Sequence, residues 1–274
     1  MMTRTFYPAR SIMPEASILA LKNLRYERGD RIILDGIDWQ VRAGEHWVIL
    51  GPNGCGKTSL INCLTGYEMA TAGEISLDSA EYGRTDWREV RKRVGLVTST
   101  LTFYLEPQEP VLDAIVSGRD AMLNLVGDID EDLIEEARLL LEKIGCSYLA
   151  NSRWGVLSQG ERQKILICRA LMSKFSVLIL DEPCAGLDPV AREHFLKWLQ
   201  TIAQQPDAPS LVLVTHHVEE ILSCFTHVLL LKLGRIIAAG PKHEVLTSGR
   251  LSEAYGADLE VTNAGARYQL RLIP

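Results

Sequence analysis

The stretch GPNGCGKT, Gly51 to Thr58, has the spacing G-x-x-x-x-G-K-[ST], and its residue types suit a phosphate. Gly51, Gly54 and Gly56 let backbone amides close on an anion without a Cβ in the way, with Pro52, Asn53 and Cys55 completing the loop. Lys57 is a point charge for β/γ oxygens, and Thr58 offers a hydroxyl to Mg²⁺. The helix expected to begin there, with Ser59 in its first turn, adds its dipole. Two carboxylates follow a buried-looking strand in VLILDEP: Asp181 is placed to hold Mg²⁺, and Glu182 to accept a proton from an attacking water or to orient it. A third apolar run, LVLVTHH, brings His216 to a strand's carboxyl end, where α/β sheets bind ligands. His216 could hydrogen-bond a γ-phosphate and orient Glu182; His217 reads as an ordinary surface histidine.

A second anion-facing feature lies in VLSQGERQKILICRA. Ser158-x-x-Glu161 has the form of a capping box, in which serine and glutamate each satisfy one free helix amide. A helix start is also where an anion is favoured, because its first amides lack partners. The residues alone leave both readings open.

These side chains need strands and helices to hold them. The segment ILALKNLRYERGDRIILDGIDWQV alternates as strand, turn at Gly29-Asp30, and strand. EHWVIL is a further strand leading into the glycine-rich turn. KTSLINCLTG reads as a helix with Leu60, Ile61 and Leu64 on one face and Gly66 as its stop. Acids from Asp128 to Asp132, then Leu133, Ala137, Leu140, Leu141 and Ile144, predict a helix closed at Lys143-Gly145. VLIL (177–180) and LVLV (211–214) have the continuous apolar character of parallel strands buried on both faces. A late hairpin is expected around Leu233-Gly234, and a last strand in RYQLRLI. Strands alternating with helices predict an α/β core.

Composition narrows the function classes. The chain has 274 residues, 47% hydrophobic and 23% charged, as a globular chain does. Its net charge of −6 argues against broad binding to nucleic acid. The six cysteines form no C-x-x-C pair and no zinc spacing, which fits free thiols in a reducing compartment. No segment has the length of an apolar membrane span, and the first residues lack a signal-peptide core.

Taken in order, GPNGCGKT, LSQGE, VLILDEP, AGLD and VTHH resemble the motifs of the ATP-binding cassette (ABC) ATPases, across about residues 17–240. The resemblance implies a P-loop NTPase-like, mostly parallel sheet core with an N-terminal antiparallel β subdomain and an inserted helical subdomain at about 100–165. Residues 1–16 would be a flexible tail and 241–274 a C-terminal extension packed on the core. It implies an ATPase using ATP and Mg²⁺, with Lys57, Glu182 and His216 catalytic and Thr58 and Asp181 on the metal. The signature, Leu157-Ser158-Gln159-Gly160-Glu161, would meet an ATP seated on a second cassette subunit, with Gln159 and Glu161 replacing the commoner glycine and glutamine. Ser158 is then expected to accept the helix amide while its hydrogen points at that phosphate. Asp188 would sit at the junction of the two subunits, and Tyr26 would stack on adenine.

One departure stands out. Ser99 falls where many family members carry a glutamine that reaches Mg²⁺ and follows the membrane partner, and nearby Gln108, in EPQEP, reads as part of a proline-rich loop. The implied role is a subunit that closes head to tail around two ATPs and drives separate transmembrane subunits from the cytoplasmic face of the membrane. The alternative is a non-transport ATPase acting on a ribosome, nucleic acid or another soluble complex.

Overall fold

Three short runs, Trp47–Leu50, Val177–Asp181 and Ser210–Thr215, are buried at every position, as parallel strands covered on both faces must be. They belong to a computed structural model that describes residues 17–98, 101, 104–120, 129–173, 175–205, 208–265 and 267–273. Residues 1–16 and Ser99 lie outside the described residues. The chain begins with β1 (Ser17–Arg28), β2 (Arg31–Arg42), β3 (Trp47–Leu50), α1 (Lys57–Thr65), β4 (Ala72–Leu77), β5 (Ala80–Glu81) and α2 (Trp87–Arg91). It continues through β6 (Val94–Thr98), α3 (Val111–Val116), α4 (Glu131–Lys143), α5 (Gln159–Leu171), β7 (Val177–Asp181) and α6 (Pro189–Ala203). Last come β8 (Ser210–Thr215), β9 (His227–Lys232), β10 (Arg235–Pro241), α7 (Lys242–Val245), α8 (Ser248–Tyr255), β11 (Leu259–Ala264) and β12 (Arg267–Leu272). These elements fall into two compact units, one holding the described residues up to Val90 and from Leu199 onward, the other Arg91 to Trp198.

The first unit contains two sheets. One is antiparallel, in the order β2-β1-β4-β5. Its β2 buries Leu34, then Ile37, Trp39 and Val41; the change of parity follows Gly36, whose φ is 64°. In the other, β3 lies between β8 and β9, parallel to both, and β10 pairs antiparallel with β9. Leu233 and Gly234 join β9 to β10 with φ of 46° and 76°, the left-handed pair that a two-residue hairpin loop favours. Helix α1 buries Leu60, Ile61 and Leu64 and ends at Gly66, as the sequence predicts. Residues after 241 form α7, α8 and the β11–β12 hairpin, with Val245, Leu251, Ala254 and Leu259 buried.

In the second unit β6 runs parallel to β7, with Thr98 opposite Asp181. Helix α4 is capped by Asp130, whose side chain accepts the Asp132 amide, and buries Ala137, Leu140 and Leu141. Asp128, expected in that first turn, lies outside the described residues. Helix α5 buries Ile165, Leu166, Ile167 and Cys168, and its Arg169 Nε donates to Ser117 Oγ at the end of α3 (3.2 Å). The fold is thus α/β, with parallel strands ending at the glycine-rich loop, at Asp181 and at Thr215.

Candidate functional site

The loop from Gly51 to Gly56 leaves β3 and enters α1 without a side-chain cap. Its glycines have steric reasons to be there. A Cβ on Gly51 would stand 2.4 Å from the Leu231 carbonyl oxygen. Gly56 has φ of 108°, and a Cβ there would stand 2.9 Å from Leu34 Cδ2. The Gly234 amide donates to the Cys55 carbonyl (2.9 Å) and the Asp35 amide to the Gly234 carbonyl (2.9 Å), so β2 and the β9–β10 turn wall the loop. Cys55 is buried, and burial pushes its thiol up, which keeps it neutral. Lys57 is only 5% exposed, and its ammonium donates to the Gly51 carbonyl (2.9 Å) and the Pro52 carbonyl (3.1 Å). A buried cation beside a glycine-rich turn at a helix start is the kind of arrangement that can receive an anion. Thr58 is exposed at that start and Ser59 is half-buried behind it.

Tyr26, expected to offer its face to a base, is instead a core residue, 8% exposed and opposite Leu34 on β2. Arg28 lies over it: Nε donates to the Tyr26 hydroxyl (3.3 Å), and the guanidinium carbon is 5.8 Å from the ring centroid. The same guanidinium pairs with Glu68. A base stacking on Tyr26 would have to displace that arginine, so the exposed planar group at the end of β1 is Arg28. The two share a face of the strand, and two residues of spacing cannot say which is the outer one.

At the end of β8, Thr215 is fully buried; its hydroxyl donates to Glu220 Oε2 (2.6 Å) and accepts the His217 amide (3.0 Å). His216 follows, half-buried, while His217 is exposed, as expected for a surface histidine. Their ring centroids are 4.0 Å apart. The Tyr255 hydroxyl, from α8, donates to the His216 carbonyl (3.2 Å). No motif singles out Tyr255 in the sequence; only the fold brings it here.

In the second unit Asp181 ends β7 at 5% exposure. Glu182 then takes a left-handed φ of 49°, although Pro183 follows and Glu has a Cβ to accommodate. Strained positions of this kind cost about 1–3 kcal/mol and cluster at functional sites. The turn is closed by the Ala185 amide donating to the Glu182 carbonyl (3.0 Å). Asp188 Oδ1 accepts the amides of Val190 (2.8 Å) and Ala191 (2.9 Å) in the first turn of α6. The Ala191 amide is the main reason its carboxyl is held below the usual carboxylate range.

The capping box at α5 is present in full. The Glu161 amide donates to Ser158 Oγ (3.3 Å), and Glu161 Oε2 accepts the Ser158 amide (2.8 Å). The serine's hydroxyl donates to the same Glu161 oxygen (2.8 Å), a carboxylate three residues on being the nearest strong acceptor. The Ser158 hydroxyl, followed by its amide, holds the Glu161 carboxyl below its usual range, and Tyr148 donates to the other oxygen (3.1 Å). Leu157 is buried ahead of the cap. The side chain of Gln159 lies against Gly186, where a Cβ would come within 2.4 Å of its amide, and Gly160 faces Leu187. This contact between the helix start and the AGLD loop explains how glutamine is accommodated at position 159.

The loop Gly51–Ser59 and His216 therefore belong to the first unit, and Leu157–Glu161, Asp181, Glu182 and Asp188 to the second. Among the described residues no group of three or more His, Cys, Asp or Glu could hold a metal by itself, and no helix is long and apolar enough to cross a membrane.

Comparison with known proteins bears directly on this arrangement. Residues 34–185 match a family model described as "ABC transporter". The Bacillus subtilis (strain 168) protein named "Uncharacterized ABC transporter ATP-binding protein YlmA" is 41% identical, over 89% of this chain and 93% of its own. The Streptomyces coelicolor hemin import ATP-binding protein HmuV is 33% identical, over 93% and 90%. A solved dimeric structure of the ATP-binding cassette MJ0796 in a post-hydrolysis state, bound to ADP and Pi, superposes with a TM-score of 0.71 at 24% identity, covering 81% of this chain and 98% of that one.

Proposed function

For a chain that belongs to the ABC transporter family and is one of its ATPase cassettes, we propose a subunit that closes head to tail with a second copy or a related chain around two ATPs. Each ATP would lie on the Gly51–Ser59 loop of one subunit and under Leu157–Glu161 of the other. The observation that supports this reading is that one chain has two separate helix starts whose chemistry suits an anion, the one entered from the loop holding Lys57 and the one capped by Ser158.

The residue roles follow from their chemistry. Lys57, already desolvated, balances phosphate charge. Thr58 and Asp181 are the oxygen donors that would hold Mg²⁺, and a hard cation suits such ligands. That ion, when bound, spreads the negative charge of the transferring phosphoryl group. Glu182 takes the proton of the attacking water or orients it, and His216 contacts the γ-phosphate. Asp188 meets the partner at the junction while capping α6. Tyr26 serves as packing beneath Arg28, which would then meet the base.

For Ser158 to reach a partner's phosphate, its hydrogen must turn away from Glu161, and the phosphate must tolerate that carboxylate. Glu161→Gln keeps an acceptor for the Ser158 amide and removes the charge. It is expected to lower the ATP concentration needed for half-maximal dimer formation about two- to fivefold, the worth of one like charge at a helix start. Light scattering across an ATP titration reads this directly; an unchanged or higher midpoint counts against phosphate at Ser158.

The partner driven by closure is proposed to be a pair of separate membrane-spanning subunits, with this chain peripheral on the cytoplasmic face. Expressing the chain with the products of its neighbouring genes tests this. A membrane protein that co-purifies with it supports transport; a ribosome or soluble complex retained instead would favour a non-transport ATPase. Ser99, at the position of the expected glutamine, directly follows Thr98, which stands opposite Asp181.

A further inference from the structure

We propose that the C-terminal segment fastens the loop carrying His216, and that Tyr255 is a positioning residue for hydrolysis. Four carbonyls of the loop after β8 accept donors from this segment. Tyr255 donates to the carbonyl of His216 (3.2 Å) and Arg267, on β12, to that of Glu219 (2.9 Å). Lys242 donates to Leu222 (3.1 Å) and Ser223 (3.3 Å). The loop's own ties add to these, through Thr215, the His217 amide and Glu220.

Tyr255 has the most direct place among them. It is the last residue of α8, closed by Gly256, whose φ is 69° and whose amide donates to the Ser252 carbonyl (2.8 Å). The helix is held from beneath by Leu251 and Ala254, both buried, and from the side by Ser252 Oγ, which accepts the Leu259 amide (2.9 Å). Lys232, at the end of β9, donates to the Glu253 carbonyl. Tyr255 is thus rigidly presented. Burial raises its phenol above the ordinary range, so it stays a donor at any physiological pH.

A bond to the His216 carbonyl fixes where the imidazole starts from, not whether ATP binds. Its loss is therefore felt in turnover more than in affinity. This inference rests on the reading that His216 contacts the γ-phosphate. The experiment is steady-state hydrolysis by the full chain carrying Tyr255→Phe, which keeps the ring's packing, and separately His216→Ala. Tyr255→Phe is expected to lower kcat about three- to tenfold, the range for one lost hydrogen bond, with KM for ATP and the thermal midpoint nearly unchanged. Tyr255→Phe at the unmutated kcat, in a chain where His216→Ala is inactive, overturns the positioning role alone. Parallel losses in kcat, ATP affinity and thermal midpoint also overturn it, since Tyr255 would then be only structural. If His216→Ala itself hydrolyses ATP at the unmutated rate, the assignment of His216 falls, and Tyr255 loses its route of action with it.

Discussion

Glu182→Gln is expected to lower ATP hydrolysis at least about 100-fold while leaving ATP affinity within about twofold, as for a general base removed without loss of shape. Glutamine has nearly the volume of glutamate and still offers a carbonyl oxygen, but it cannot accept a proton at neutral pH. Nothing in the binding of ATP depends on that proton: in the proposed assignment Lys57, Thr58 and Asp181 hold the phosphates and the metal. The backbone at Glu182 gives the assignment weight beyond the motif. A left-handed φ of 49° directly after the fully buried strand β7 is a local cost, and the turn to Ala185 maintains it. Phosphate release and nucleotide binding, measured on the same preparation, separate the two effects. A variant that turns over ATP at the unmutated rate means another group activates the water.

Ser158→Arg is the second large effect. It is expected to reduce hydrolysis to a few per cent or less, while one chain alone binds ATP with unchanged affinity. Two consequences have to be kept apart. Losing the cap costs about 0.5–2 kcal/mol of stability, because the Glu161 amide loses its acceptor and the box loses its reciprocal bond. That cost appears in unfolding and should be matched by Ser158→Ala. The block to hydrolysis has a different origin, since a long cationic side chain at the start of α5 fills the place where the partner's phosphate would approach. Ser158→Ala, with a similar loss of cap but no bulk, should therefore retain much more activity than Ser158→Arg. Equal loss of ATP binding and hydrolysis in Ser158→Arg would return this stretch to a role beside its own chain's nucleotide.

Much of the fold was legible because its elements depend on local pattern. The continuous apolar runs at 177–180 and 211–214 could satisfy only strands covered on both faces, and Gly66 and Leu233-Gly234 sit where left-handed backbone is needed. The glycine spacing of the phosphate loop was legible for the same reason: a Cβ at Gly51 or Gly56 has nowhere to go. Pattern was least informative where side chains at short separation compete. Tyr26 and Arg28 lie two residues apart on one face of β1, and only tertiary packing decides that the tyrosine goes inward. Ser158 has one hydrogen to donate, and the spacing S-x-x-E does not by itself show that it goes to the Glu161 carboxylate. Tyr255 was beyond reach altogether, because its bond to His216 joins residues 39 apart in sequence and follows no periodic pattern.

The central claim, that two chains close around two ATPs, is tested most directly by the mass in solution of Glu182→Gln, where hydrolysis no longer reverses closure. The account predicts a shift from the chain's 30.5 kDa to twice that value on adding ATP, and a return to the single-chain mass when Ser158→Arg is added to the same protein. A chain that binds ATP yet keeps its single-chain mass at all concentrations, or a dimer indifferent to both ATP and Ser158→Arg, would contradict it.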